Sequence, residues 1–204
     1  ITVPRASACP PLHRARTAGP LEPADVVVWI ESRRQTSIAA LVAVCCELKS
    51  RGVRAQAFTM VSPTSLSCEA LPFNYPARFF APSWAGAAWR EFADEYPELR
   101  APGLRRAFMQ ASAMQRGLYD EWDRVLGALR PQVALIFSRQ MPGGAALSVV
   151  AREHGATALE LQHGVLQPFF TPLVTDAMLT WGVSSNATLA GLGVERVAML
   201  KYGI

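Results

Sequence analysis

Gln162-His163-Gly164 follows directly on the apolar run Leu159-Glu160-Leu161. An imidazole takes or gives a proton near neutral pH. The residues at the end of a parallel strand, and the loop after it, are where open α/β sheets hold their ligands. Gly164 lets the backbone come close to a bound molecule. A proton acceptor so placed is what deprotonation of a hydroxyl requires. A histidine that only orients a loop through a hydrogen bond would occupy the same position.

Other polar residues gather where strands are expected to end. Glu31, Arg33, Arg34 and Gln35 follow Val26-Val27-Val28-Trp29-Ile30. Their position suits substrate binding, and a solvated loop explains them equally well. Arg139 precedes Pro142-Gly143-Gly144, whose amides could hold an anion at a helix N-terminus. A tight turn with proline at the helix start accounts for the same residues more simply. Asp120-Glu121-Trp122-Asp123 has the look of an acidic metal run. It falls inside a long amphipathic pattern, with Trp122 inward and the acids toward water, and no other cluster has ligand spacing, so no metal is expected. His13 sits in a Pro-rich stretch and His154 at a helix end, where a cation is favourable.

Several classes are disfavoured by motif. Neither GxGxxG nor GxxxxGK[ST] occurs, which argues against classical dinucleotide binding and P-loop hydrolysis, and no GxSxG elbow is present. The four cysteines include no CxxC pair, so they read as free thiols of a reducing compartment. The net charge of +4 comes with only two lysines, Lys49 and Lys201, and lacks the basic and aromatic interleaving of a nucleic-acid module. It leaves room for peripheral attraction to a membrane surface. No apolar run approaches the roughly 20 residues of a membrane span, and no signal peptide opens the chain. A soluble, cytoplasmic domain is expected, and the start at Ile1 suggests a processed or excised piece.

The elements that position these residues follow from periodicity. Residues 1–24, with prolines at 4, 10, 11, 20 and 23, read as an irregular arm, and residues 25–204 as one domain. Val26 to Ile30 is a strand covered on both faces. Ser37 is a helix cap, Ile38 to Ser50 a helix stopped by Gly52, and Val53 to Met60 the next strand. Within the Pro- and aromatic-rich 61–102 stretch, only a helix around Trp84 to Tyr96 is legible. A long helix then carries Leu104, Phe108, Ala111, Leu118, Trp122, Val125 and Leu129 on one face and ends at Pro131. Strands at Val133 to Phe137, Thr157 to Leu161, Ala177 to Trp181 and Arg196 to Leu200 alternate with helices at Gly144 to His154 and Ser185 to Leu192. Such alternation predicts a Rossmann-like, doubly wound parallel sheet of six or seven strands. Val26 to Ile30, Val133 to Phe137 and Thr157 to Leu161 should lie near its centre.

From Arg130 onward the chain resembles a known family. Arg130-Pro131-Gln132-Val133-Ala134-Leu135-Ile136-Phe137 leads through a helix to Gly155-Ala156-Thr157 and then Gln162-His163-Gly164. Thr180-Trp181-Gly182 and Leu192-Gly193-Val194-Glu195-Arg196-Val197 follow. The pattern looks like the N-terminal, acceptor-side domain of bacterial surface and capsular polysaccharide glycosyltransferases of the two-Rossmann (GT-B) type. It covers about the last 75 residues well and residues 25–60 only in general pattern. The resemblance implies metal-independent chemistry on a sugar or lipid-linked acceptor at the inner face of the membrane, with His163 near the reacting hydroxyl. Glu31, Arg33, Arg34, Arg139, Gln162 and Gly164 would contact substrate. The nucleotide-sugar donor would bind a second domain or partner subunit, because the chain stops at Lys201-Tyr202-Gly203-Ile204 without the family's G-N-P-like hinge. Related phosphoglycerol polymerases place a His-Gly in the same loop. Two other readings stay open. One is a nucleotide-sugar epimerase, whose acid and base would be Glu31 and Asp176. The other is a non-enzymatic Rossmann-like subunit that docks on a partner.

Overall fold

The computed structural model describes residues 21–31, 35–59, 70–73, 82–162, 166, 168 and 173–194. Among these residues six strands form one parallel sheet: β1 (Val26–Ile30), β2 (Ala55–Thr59), β3 (Ala70–Pro72), β4 (Val133–Ile136), β5 (Thr157–Leu161) and β6 (Ala177–Leu179). Their order is β3-β2-β1-β4-β5-β6, with every neighbouring pair parallel. Five α-helices accompany them among the described residues: α1 (Gln35–Ser50), α2 (Ala85–Glu95), α3 (Pro102–Leu129), α4 (Pro142–Glu153) and α5 (Val183–Gly191). The Rossmann-like α/β fold is therefore as the alternation of patterns predicts.

Alternation along the strands assigns the two faces. Val27 and Trp29 of β1 point into a core with Leu118, Trp122, Leu126 and Leu129 of α3 and Leu147 and Val150 of α4. Val28 and Ile30 point the other way, against Leu41 and Cys45 of α1. With both faces covered, β1 needs apolar residues at every position, which is why its sequence does not alternate. On the α3–α4 face Trp29 meets Trp122 edge-on at 5.1 Å between ring centroids, and Phe73 tilts against Trp122 at 4.3 Å. The Trp122 indole donates to the carbonyl of Gly143 (3.1 Å), so the large ring carries no unpaired N–H into the core.

Two expectations need correction. Leu104 and Ala111 do not belong to the buried face of α3: Leu104 is exposed, and core burial begins at Ser112 and Ala113. A 28-residue helix runs to about 42 Å at 1.5 Å per residue, well beyond the sheet it covers. The overhanging half finds its aromatic company in α2, where Trp89 and Phe92 stack near Phe108. Helix α1 begins at Gln35, so Ser37 lies within its first turn rather than ahead of it. Strand β3, at the sheet edge, was not legible at all. The strand expected at Arg196 to Leu200 and most of the 1–24 arm lie outside the described residues. The end of that arm is part of the fold, however, since Ala24 is buried and its amide donates to the carbonyl of Leu129 (3.1 Å).

Candidate functional site

The carboxyl edge of the sheet carries Glu31 after β1, Ser138 and Arg139 after β4, Gln162 after β5 and Thr180-Trp181-Gly182 after β6. Parallel strands bring all four segments to one rim. His163, Gly164, Arg33 and Arg34 fall outside the described residues. Gln162, the residue before His163, stands on this rim, and its amide donates to the carbonyl of Leu179 (2.9 Å).

Glu31 meets the start of α4. Its Oε1 accepts from the amide of Gly143 (3.0 Å), and its Oε2 accepts from the amide of Gly144 (2.9 Å) and from Trp29 Nε1 (2.8 Å). Pro142-Gly143-Gly144 thus does bind an anion at a helix N-terminus, and the anion is the protein's own carboxylate. The two glycines are needed for closeness. A Cβ on Gly143 would lie 2.6 Å from the Trp29 ring, and one on Gly144 would lie 2.1 Å from the carbonyl oxygen of Ser138. Met141, the residue at the N-cap, supplies no side-chain bond, so Glu31 does the capping from 110 residues away along the chain (141 − 31). Glu31→Ala should cost about 1–3 kcal/mol, the range for a lost cap and stranded buried donors, with Glu31→Gln less damaging because it keeps one acceptor oxygen. Denaturant unfolding of the two variants checks this.

Arg139 is buried beside Glu160 of β5. Its Nη1 donates to Glu160 Oε2 (2.7 Å), and its own amide donates to Oε1 (3.2 Å). Burial pushes the Glu160 carboxyl above the usual carboxylate range, against the opposing pull of Arg139. Gln162 is also buried. Its side-chain oxygen accepts from the Trp181 amide (2.8 Å), and its carbonyl accepts from the Trp181 indole (2.9 Å). Thr180 Oγ1 donates to Asn186 Oδ1 of α5 (2.5 Å). These bonds lock the β5 and β6 exits together and leave the Trp181 ring more than half exposed on the rim, near exposed Val183. Gly182, with φ +153, makes the turn that an L side chain would strain.

Asp176 stands apart. Its Oδ2 accepts from the Ala158 amide (2.8 Å), and Arg152 lies 3.4 Å from its Oδ1. Through the strand registers Asp176 is level with Val27, four residues below Glu31 and three strands across. That is roughly 13 Å along the strands and roughly 14 Å across them. The two carboxylates proposed for an epimerase cannot share one substrate carbon at that separation. The acids of 120–123 are also accounted for: Asp120 pairs with Arg116, Glu121 with Arg124 and Asp123 with His154, while Trp122 is fully buried. Among the described residues, no three His, Cys, Asp or Glu side chains gather as a metal site would require. No helix among them is long and apolar enough to cross a membrane.

No protein-family model and no curated protein matches the sequence. Solved structures do match in fold. A glycosyltransferase from Rickettsia africae ESF-5 superposes with a TM-score of 0.56 at 8% identity, covering 90% of this chain and 44% of that one. A UDP-N-acetylglucosamine 2-epimerase superposes with a TM-score of 0.51 at 11% identity, covering 87% of this chain and 45% of that one. Both have GT-B-like folds, and this chain spans less than half the length of either. At such identities the likeness shows the fold: a Rossmann-like sheet of the kind found in GT-B proteins.

Proposed function

We propose that this chain is the acceptor-side half of a GT-B glycosyltransferase acting in surface or capsular polysaccharide synthesis, with His163 as the base that deprotonates the acceptor hydroxyl. One observation carries the reading. Glu31 caps α4, Arg139 is paired with Glu160 and Gln162 holds Trp181, so these three side chains build the rim. His163 is next along the chain from Gln162, and its side-chain type suits proton removal near neutral pH. The likeness to less than half of each GT-B neighbour supports a division of labour in which a second domain or a partner subunit binds the nucleotide-sugar. The acceptor, sugar or lipid-linked, would reach the carboxyl edge from the inner face of the membrane. No metal and no resident cofactor enter this scheme.

The epimerase reading has equal support from fold likeness, but it needs an acid–base pair other than Glu31 with Asp176. Calorimetric titration of this chain with uridine, guanosine and cytidine diphosphate sugars tests the division of labour. It should give no saturable heat of micromolar binding, about −8 kcal/mol. A clear isotherm would put the donor site in this half.

A further inference from the structure

A slot opens between α3 and α4 beside the carboxyl edge. It is lined by Trp84, just ahead of α2, by Ala145, Ala146 and Val149 of α4, and by Gln115, Arg116 and Tyr119 of α3. Its volume is about 260 Å³. Two of its residues are unusual for a surface. Trp84 is 51% exposed and Val149 is 45% exposed, although both are large and apolar. Ala145 and Ala146 are in the first turns of α4, directly after the glycines that Glu31 caps, so the slot adjoins the rim.

We propose that this slot binds one uncharged pyranose ring of the acceptor, stacked on the Trp84 indole. The proposal rests on the transferase reading for the word acceptor, but the slot's chemistry is independent of it. A pyranose offers an apolar face of C–H groups and a girdle of hydroxyls. The slot's lining combines an indole, alanine and valine methyl groups, the Gln115 amide and the Arg116 guanidinium. The Arg116 guanidinium lies 5.4 Å from the centre of the Tyr119 ring, and the Tyr119 hydroxyl bonds Glu153.

Charge and size narrow the occupant. Arg116 is already paired with Asp120 (2.8 Å), and Glu153 adds a negative charge beside Tyr119, so a phosphate would meet no net attraction. The slot falls just short of the roughly 300–1,000 Å³ of pockets for drug-sized ligands, enough for a ring and too small for an extended lipid chain.

The test is a titration of the full chain with maltotriose and chitotriose, followed by the nitrogen–proton resonance of the Trp84 indole and identified by its absence in Trp84→Ala. At least one trisaccharide should shift that resonance saturably. Trp84→Ala should weaken binding about tenfold, the loss of one good aromatic contact. Val149→Phe, which fills the slot from an exposed position, should weaken it similarly. Unchanged melting temperatures in both variants would show that the fold is intact. If neither sugar moves the Trp84 resonance, if binding survives both substitutions, or if inorganic phosphate binds there instead, the proposal is wrong. Transfer assays on the full-length protein separate the two claims. Unchanged acceptor KM in Trp84→Ala overturns the slot and leaves the transferase reading standing. Sugar binding at Trp84 without any transfer keeps the slot and removes the transferase.

Discussion

Arg139→Ala should destabilise the fold by about 3–5 kcal/mol, because it leaves Glu160 as a buried carboxylate without its counter-charge. Arg139 is 6% exposed and Glu160 fully buried, so water cannot take over the arginine's role. The effect should depend on pH, and its sign follows from the direction of the Glu160 shift. Burial holds the folded-state pKa above the unfolded one, and losing Arg139 removes the force that pulls it down. Ionised Glu160 therefore weighs against the folded state of the variant above that raised value. The deficit should be largest at neutral pH and shrink as pH falls through the raised folded-state values, below which the carboxyl is protonated in both folded proteins. Urea unfolding of wild type and variant at pH 7 and pH 4.5 measures it. Equal stability at pH 7, with substrate binding lost, would instead make Arg139 a ligand contact. Replacing both partners with apolar residues of similar volume should cost far less than replacing Arg139 alone.

His163→Ala in the full-length protein should lower kcat by roughly 10²- to 10⁴-fold, the usual contribution of a positioned proton acceptor. The residue lies between Gln162, which is fixed on the rim by Trp181 and Leu179, and Gly164. Thermal unfolding should accompany the kinetics, since a less stable enzyme imitates a less active one. Turnover within a few-fold of wild type would leave His163 as a loop-orienting residue.

Much of the scaffold was legible because burial on both faces leaves a plain mark. Val26 to Ile30 and Val133 to Phe137 read as central strands and occupy the middle of the sheet. Thr157 to Leu161 reads as a third, yet it is next to the edge strand and only partly buried. Strand β3 left no mark, because three residues ending in Pro72 are too short to show a period. Leu104 misled because helical periodicity records which face is apolar, not how far the neighbouring core extends. At the rim, the sequence marked Glu31, Arg139 and Gln162 as polar residues beside strand ends. It could not show their partners, since Glu31 and Gly143 are 112 positions apart and Arg139 and Glu160 are 21 apart. The slot was hidden for the same reason: Trp84, Tyr119 and Val149 come from three separate segments. Gly143-Gly144 was the one available clue to the Glu31 contact, and a tight turn explained it as well.

The carboxylate of Glu31 also sets the electrical character of the β4–β5 crossover. The amino end of a helix carries a partial positive charge of about half a unit, and a full negative charge placed against it reverses the local sign. An incoming diphosphate would be repelled at α4, where many nucleotide-binding folds attract one. Uncharged hydroxyls would feel no such penalty. The rim is in this respect biased against highly charged ligands and tolerant of neutral ones.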